Sequence, residues 1–245
     1  MRLQHATWQE VEAYLSRHTG IIVPIGSTEQ HGPNGLIGTD AICPEAIAWA
    51  LGERHDVLVA PTQNIGMAQH HLAFPGTLSL TPSTLIAVLH DTIESLSRHG
   101  FTHVFFLNGH GGNIATVKAA FAEVYTTRSL AGDDRPLNLS LYSWFSGRRG
   151  RDLAQSLYGD AEGSHATASE VALSWYAAGV EKSVAMSPRL APKGSADCDA
   201  DTFRRRFPDG RMGSDPTLAR VEHGKDFLDT GVEDAWEAYR AFLAE

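Results

Sequence analysis

The stretch GIIVPIGSTEQHGPNGLIGTD, residues 20–40, joins a continuous apolar run to a segment rich in glycine and proline. A short apolar run that ends in a glycine turn is typical of a strand buried on both faces of a parallel sheet. The segment that follows carries Glu29, His31 and Asp40. Two carboxylates and an imidazole so close to a buried strand indicate either a metal site or a solvated loop, and the rest of the chain decides between them.

The alternation of apolar runs and helical patterns continues along the chain. Further strand-like runs lie at residues 57–66, 102–113 and 137–145. Apolar residues at helical spacing lie at residues 1–20, 39–56, 81–100, 114–128, 166–179 and 229–245. This order predicts an α/β fold with one domain, residues 1–245, and a mostly parallel central sheet with helices on both faces. The polar residues 197–215 are interpreted as a long loop or a lid.

Charge and composition exclude several classes of protein. The formal net charge of −9 gives no electrostatic reason to expect nucleic acid or an anionic membrane as a partner. No apolar run approaches the ~20 residues of a membrane span, and the N-terminal residues lack the continuous apolar stretch of a signal peptide. Cys43 and Cys198 form neither a CxxC pair nor a disulfide framework. We therefore expect a cytoplasmic protein.

The first polar cluster follows the opening strand. Glu29 and His31 are two residues apart, so in an extended chain both side chains point to the same side. Asp40 lies at the start of the next predicted helix, where the helix dipole and free N–H groups favour a carboxylate. The alternative is that Asp40 only caps the helix and that Glu29 and His31 are solvated. Because the intervening glycines let the chain turn tightly, the three together favour a metal site.

A second cluster, NGHGGN, follows the apolar run of residues 102–113. His110 is flanked by Gly109, Gly111 and Gly112, which allow the backbone to approach a ligand closely. The alternative is a phosphate-binding glycine loop in which His110 is incidental. No Lys-Ser/Thr pair follows, as a P-loop would require, so we interpret His110 as a ligand and Gly111 as part of the substrate site.

A third cluster, GSHATASE, places His165 five residues before Glu170, at the start of a predicted helix. The alternative is a Ser/Thr-rich helix cap with a glutamate in the first turn.

The fourth segment, QHHLAFPGTLSL, carries His70 and His71 before a Pro-Gly turn. Backbone N–H groups on such a turn are available to a substrate, and His71, Gly76 and Thr77 are the predicted substrate contacts. The alternative is a plain turn.

The candidate ligands combine imidazole and carboxylate groups and include no thiolate: Glu29, His31, Asp40, His110 and Glu170. Such a set suits Zn, Mn or Fe and differs from a structural cysteine-type zinc site. Five ligands are too many for one tetrahedral zinc and suffice for two metals bridged by one carboxylate. A dinuclear centre activates water and polarises the carbonyl group that the water attacks.

These motifs, in order along the chain, resemble the creatininase (creatinine amidohydrolase) family over roughly residues 7–228. The resemblance is carried by GSTEQHGPNGLIGTD, FPGTLSL, NGHGGN, the pair His165 and Glu170, and GSDPTLARVEHG. It implies an α/β three-layer sandwich and a dinuclear metal centre, Zn with Mn or Fe as alternatives, that hydrolyses C–N bonds through a metal-bridging hydroxide. It also implies a homo-oligomer, often a hexamer.

The resemblance also assigns roles to residues. Glu29, His31, Asp40 and His110 match metal ligands, with Asp40 as the bridge, and His165 matches a histidine of proton transfer. In creatininase a glutamate two residues after the histidine ligand serves the second metal, whereas this chain has Gly112 there. The predicted replacement is Glu170, which matches a glutamate of many other family members.

A departure from creatininase bears on the substrate. The Trp-Asp-x-Glu-His run that creatininase places around its substrate is AEGSH here, residues 161–165. Only the histidine is kept, so the predicted substrate is a different small molecule with a non-peptide amide, such as a cyclic amide or a formamide. Other branches of the family that this chain resembles include formamide deformylases, a peptidase of a redox-peptide pathway and a hydrolase of a cyclic sugar diketone.

There are four alternative functions to weigh against this one. The same metals serve C–C bond hydrolysis of a cyclic dicarbonyl or cleavage of small peptides. A non-enzymatic binding protein is expected to have lost ligands, yet all five are present. A nucleophilic hydrolase is disfavoured because no G-x-S-x-G motif occurs.

Overall fold

A sheet of four parallel strands forms the middle of the protein in the computed structural model, which describes residues 1–244. The strands are β1 (Gly20–Ile25), β2 (Leu58–Val59), β3 (His103–Asn108) and β4 (Asn138–Ser143). They lie in the order β2-β1-β3-β4. The register pairs Ile25 with Asn108, so β1 and β3 end side by side. The loops that follow these two strands therefore leave the same edge of the sheet.

Helices cover both faces of the sheet. They are α1 (Trp8–Leu15), α2 (Thr39–His55), α3 (Pro82–Arg98), α4 (Asn113–Ala131), α5 (Arg148–Tyr158), α6 (Ala168–Ala178), α7 (Ala200–Arg206) and α8 (Val221–Phe242). Short 3₁₀ turns lie at Leu3–His5, Gln69–His71, Trp144–Ser146, Gly159–Ala161 and Pro216–Leu218. The predicted α/β class, with a parallel sheet between two helical layers, is confirmed.

Alternate residues of the strands feed two separate cores. Ile22 and Phe105 pack with residues of α2, α5, α6 and α8 on one face. Ile21, Val104 and Phe106 pack with residues of α1, α3 and α4 on the other. Strand side chains alternate between faces, so an apolar run without interruption is what a sheet buried on both faces requires.

Start and end signals in the sequence account for the bounds of two helices, although α4 extends beyond the predicted residues 114–128. The Thr81 side chain accepts a hydrogen bond from the Thr84 N–H, and Pro82 occupies the first turn of α3. Helix α4 ends at Gly132 in the left-handed conformation, which a glycine adopts without a Cβ penalty.

Four predicted elements differ from the structure. The N-terminal helix is shorter than residues 1–20, because Thr7 caps it and Ser16 ends it. The strand predicted at residues 57–66 keeps only β2, since the ladder is interrupted at Pro61 and resumes only as a single bridge between Gln63 and Ile25. The predicted loop at residues 197–215 contains α7, and the C-terminal helix begins at Val221 instead of Asp229. The predicted end of that helix, Glu245, lies outside the described residues.

No helix within residues 1–244 is both long enough and apolar enough to span a membrane.

Candidate metal centre

The candidate ligands gather at the shared carboxyl edge of β1 and β3. The Gly109 N–H donates to the Ile25 carbonyl at 2.8 Å, which holds the two strand ends together. Glu29 and His31 lie in the loop after β1, and His110 lies directly after β3. Ligand sites of open parallel sheets are expected at this edge.

Asp40 reaches the same place from the first turn of α2. A Cβ atom added at either Gly26 or Gly109 would meet the Asp40 main-chain carbonyl. The helix start therefore packs directly on both strand ends, and only glycine leaves it room.

Asp40 lies between two imidazoles. Its Oδ1 is 3.0 Å from Nε2 of His31, and its Oδ2 is 2.9 Å from Nδ1 of His110. The other ring nitrogen of His110, Nε2, is 3.3 Å from Oε2 of Glu29. A carboxylate that presents one oxygen to each of two groups has the geometry that a bridging ligand needs.

Glu170 both caps a helix and faces the centre. It forms a capping box with Thr167, whose N–H donates to Oε1 of Glu170 at 2.6 Å. The same oxygen lies 4.0 Å from Nε2 of His31. Glu170 therefore caps the helix and also lies beside the candidate ligand His31, so the capping role does not exclude the predicted ligand role.

Two groups of three ligand atoms share Asp40. Glu29, Asp40 and His110 form one group, and His31, Asp40 and Glu170 form the other, with all ligand atoms of a group within 4.8 Å of one another. A further group of the same size joins Glu29 and His31 to His165. The structure thus brings together all five predicted ligands, with the predicted bridge common to the first two groups.

Some buried carboxylate oxygens of the candidate ligands lack hydrogen bonds. Both Glu29 oxygens are buried without a hydrogen bond, and Oδ2 of Asp40 faces only the His110 ring. Burial raises the pKa of Glu29, and it raises the pKa of Glu170 to about 7. Buried anionic oxygens without donors are costly unless a cation binds them. The donor set and its unsatisfied oxygens therefore fit divalent metal ions.

The pKa values of His31 and His110 are both raised by neighbouring carboxylates. Burial disfavours their charged forms, but Asp40 outweighs it at His31 and raises that pKa to about 10. Glu29 and Asp40 together raise the pKa of His110 to about 9. In the metal-free protein these rings carry protons that a metal ion would displace.

Two further histidines border the ligands. Nε2 of His71 is 3.2 Å from Oε1 of Glu29, and Nδ1 of His165 is 3.9 Å from the same oxygen. Burial lowers the pKa of His71 to about 3 and holds that of His165 well below its ordinary value. Both rings are therefore neutral near pH 7 and face the centre with a ring nitrogen.

Gln30, which the sequence analysis did not single out, connects these histidines. Its Oε1 accepts from the Gly32 N–H at 2.9 Å and its Nε2 donates to the Gly210 carbonyl at 3.0 Å, which fixes the orientation of the amide. The amide nitrogen then faces Nδ1 of His71 at 2.9 Å and Nε2 of His165 at 2.8 Å. Because one of its two N–H bonds is donated to Gly210, the amide has one N–H left for the two rings, and it contacts both of them.

The other predicted substrate contacts lie around this edge. Thr77 is buried, its hydroxyl accepts from the Gln30 N–H at 3.2 Å, and its own N–H donates to the Phe74 carbonyl at 3.3 Å. Gly76 has a positive φ of 92° in the turn before it. Gly111 is exposed on the turn after His110. The Thr77 N–H is thus already used, contrary to the expectation of a free donor, whereas its hydroxyl supports the loop that carries the ligands.

Gly112 occupies the position where creatininase has a glutamate. A Cβ atom there would collide with Nε2 of His110 and with the Met67 carbonyl. The His110 ring therefore lies where a side chain at position 112 would begin.

The sequence model of the creatininase family, which is described as creatinine amidohydrolase, matches residues 4–239 of this chain. The chain belongs to the creatininase family. This confirms the resemblance that the motifs predict. An amidohydrolase breaks the C–N bond of an amide.

Curated members of the family carry different activities. A mycofactocin precursor peptide peptidase of Mycolicibacterium smegmatis is 37% identical over 108 residues, 42% of this chain and 43% of the peptidase. A creatinine amidohydrolase of Pseudomonas putida is 34% identical over 113 residues, 44% of each chain. The matches span less than half the length of these two relatives. A 3-dehydro-scyllo-inosose hydrolase of Thermotoga maritima is 26% identical over 271 residues, 97% of this chain and 84% of the hydrolase.

Solved creatininase structures have the same fold. A structure described as "Creatininase Mn" superimposes with a TM-score of 0.83 at 25% identity, over 98% of this chain and 97% of that one. A mutant creatininase of the "Zn-Zn type" gives a TM-score of 0.82 at 25% identity, over the same shares of the two chains. Members of this family thus hold zinc or manganese.

Proposed function

We propose that this protein is a metal-dependent hydrolase of an amide C–N bond in a small molecule. The observation that carries the proposal is the pair of ligand groups that share Asp40, with buried carboxylate oxygens that lack donors. Glu29, Asp40 and His110 would hold one divalent ion, and His31, Asp40 and Glu170 the other. Zinc and manganese both accept this set of nitrogen and oxygen donors.

The ions would supply activation of water and polarisation of the substrate carbonyl. A side chain of the protein would carry out the proton transfer. Nδ1 of His165 faces the centre, 3.9 Å from Oε1 of Glu29, and its ring is buried and neutral. A neutral imidazole accepts a proton from the attacking water and returns it to the leaving nitrogen. His165 is the proposed catalytic residue.

The surroundings favour a compact substrate. A cavity of about 320 Å³ opens beside the centre and is lined by Gln30 and His31. This volume is at the small end of ligand pockets. It suits a small amide, such as a cyclic amide or formamide. The predicted substrate contacts His71, Gly76, Thr77 and Gly111 do not line this cavity. As further proposals, the enzyme acts in the cytoplasm as a homo-oligomer.

A second candidate function is hydrolysis of a cyclic polyol ketone. It is favoured by the Thermotoga maritima relative, whose match extends over 97% of this chain. Cleavage of a short peptide is a third, favoured by the peptidase of Mycolicibacterium smegmatis. Because the same ligands polarise a carbonyl group in each reaction, the substrate decides among them.

The test combines metal analysis with a substrate screen. Protein reconstituted with zinc or manganese is assayed against cyclic amides, formamides, short peptides and inosose-type ketones, with a chelator-treated sample as control. We expect metal-dependent release of an amine or of ammonia from an amide. Turnover of ketones alone would support the second candidate, and turnover that survives complete metal removal would contradict all three.

A further inference from the structure

The cavity beside the candidate metal centre is lined by an arginine, Arg204, that has no role in the proposed reaction. Its walls are largely apolar, with Ile37, Phe74, Pro75 and Pro208 among the lining residues. Arg204, on α7, lines the same cavity as His31 of the centre. A ligand that fills the cavity therefore contacts both His31, one of the five candidate metal ligands, and Arg204.

Arg204 is held in place by contacts that leave most of its donors free. Its guanidinium carbon lies 4.1 Å from the centre of the Phe74 ring, and Nη1 donates to the Ala73 carbonyl at 3.1 Å. Within residues 1–244 it has no carboxylate partner. Stacking on an aromatic ring fixes the plane of the guanidinium fork, whose five donors match a carboxylate.

The single carboxylate in the cavity wall does not neutralise this charge. Asp209 accepts from Nη2 of Arg211 at 2.7 Å and from Nε of Arg211 at 3.0 Å. Arg211 is fully buried, whereas the Asp209 side chain is 35% exposed, so Asp209 faces the cavity with its charge already paired to Arg211. What remains to face a ligand is the charge of Arg204, in a protein whose formal net charge is −9.

The next residue of the same helix provides a comparison. Arg205 is exposed like Arg204, but its Nη2 donates to the Thr202 hydroxyl at 2.7 Å and it does not line the cavity. The two arginines thus share a helix and a charge and differ in access to the cavity.

We propose that the substrate carries a carboxylate at the end remote from the scissile amide, and that Arg204 binds this carboxylate. The inference rests on the proposed function, because it takes the metal centre as the place where the amide reacts. Paired N–H donors of an arginine bind a carboxylate with a strength and geometry that a neutral amide does not match. The predicted substrates are therefore small molecules that carry an amide at one end and a free carboxylate at the other, with a short apolar body between them.

The test uses probes that occupy both ends of the cavity. The monohydroxamic acids of malonic, succinic, glutaric and adipic acid are titrated into metal-loaded protein, since a hydroxamate chelates divalent ions and the remaining carboxylate extends away. Each is compared with the same molecule carrying a primary amide in place of the carboxylate. Binding is measured by calorimetry for wild-type protein and for Arg204→Gln, with Arg205→Gln as the matched control.

We expect wild-type protein to bind the carboxylate form about 10-fold more tightly than the amide form at one of these lengths, as a charge-assisted contact provides. Arg204→Gln should lose this preference and bind the amide form as wild type does, which also shows that the variant is folded. Arg205→Gln should keep the preference. An unchanged preference in Arg204→Gln, or none in wild-type protein that still binds the amide form, would overturn the inference alone. Failure of wild-type protein to bind any hydroxamate would overturn the proposed function together with the inference.

Discussion

Two clusters of charged side chains in this protein differ in how their carboxylates are satisfied. On one surface, Nη1 of Arg149 lies 2.8 Å from Oδ1 of Asp234 and 2.8 Å from Oε2 of Glu237. The Gly150 N–H donates to the other Asp234 oxygen at 3.1 Å. Each of the two carboxylates has a permanent cation, so this cluster is complete within the chain.

The candidate metal centre lacks such cations. Its carboxylates face imidazoles, which are charged only when protonated, and neither Glu29 oxygen has a hydrogen bond. Glu29 and Asp40 are nevertheless buried. The difference shows that burial of carboxylates alone does not indicate function, whereas burial without a matching donor indicates a ligand still to be bound.

The largest expected effect comes from removing the shared ligand. Asp40→Ala takes one donor from each of the two ligand groups, so we expect loss of both metals, about two per chain in the replete protein, and of detectable turnover. Metal content is measured by mass spectrometry after dialysis. Asp234→Ala is the control, because it removes a buried carboxylate from the complete cluster and should retain the metals. Wild-type metal content in Asp40→Ala would contradict the assignment of the bridge.

A smaller effect is expected when a residue acts on protons and not on the metals. His165→Ala should keep the metals and lower turnover by roughly 10²–10⁴-fold, the usual contribution of a positioned acid–base group. Metal content and turnover are measured on the same preparation. If the metals fall in step with turnover, His165 is a ligand of the group that it forms with Glu29 and His31.

The pH dependence of metal binding should show whether His31 and His110 are ligands. Metal binding must displace protons from His31 and His110, whose pKa values are raised to about 10 and about 9. Apparent affinity should therefore fall as the pH falls, by about 100-fold between pH 8 and pH 6 for each proton displaced. Calorimetry in buffers of different ionisation enthalpy measures the protons released. Affinity that is independent of pH over this range would show that these rings are not ligands.

Loss of the Gln30 amide should have a milder effect. Gln30→Leu keeps most of the volume but removes the amide that contacts His71 and His165. Outer partners of this kind are typically worth about 10–100-fold in activity or metal affinity. Steady-state kinetics and metal titration are compared with Gln30→Glu, which keeps the shape and the oxygen that accepts from Gly32. Wild-type kinetics in Gln30→Leu would show that neighbouring packing alone holds the two rings.

The smallest effect is expected in the complete cluster. Arg149→Met removes a half-buried guanidinium whose ion pair with Glu237 is screened by solvent, while Asp234 keeps the Gly150 N–H as a donor. The midpoint of thermal unfolding should fall by about 2–4 °C at most, with metal content and turnover unchanged. A loss of metal in this variant would mean that the two clusters are coupled through α8.

The alternation of short apolar runs with helical patterns was sufficient to predict the parallel sheet and the edge at which the ligands meet. His31, Asp40, His110 and Glu170 were predictable because each follows a strand or begins a helix, and such positions converge in a parallel sheet. Their mutual distances, and the capping box that also directs Glu170 to the centre, required the structure.

Gln30 and Arg204 could not be predicted in the same way. An amide has no titratable group that would single it out, and the histidines that Gln30 contacts lie 41 and 135 residues away. Arg204 lies in a polar segment that predicted a loop. Helix α7 forms there because Phe203 and Phe207 pack with Phe74 in a small separate cluster, and this contact spans a long stretch of sequence.

The close packing of the Asp40 carbonyl against Gly26 and Gly109 has a consequence for the thermodynamics of the whole protein. The same few atoms define the ends of two strands, the start of a helix and the position of the shared ligand. Ions that bind only the folded state raise the free energy of unfolding in proportion to the logarithm of their concentration. Folding and metal occupancy are therefore linked equilibria, and a methyl group at either glycine shifts both of them in the same direction.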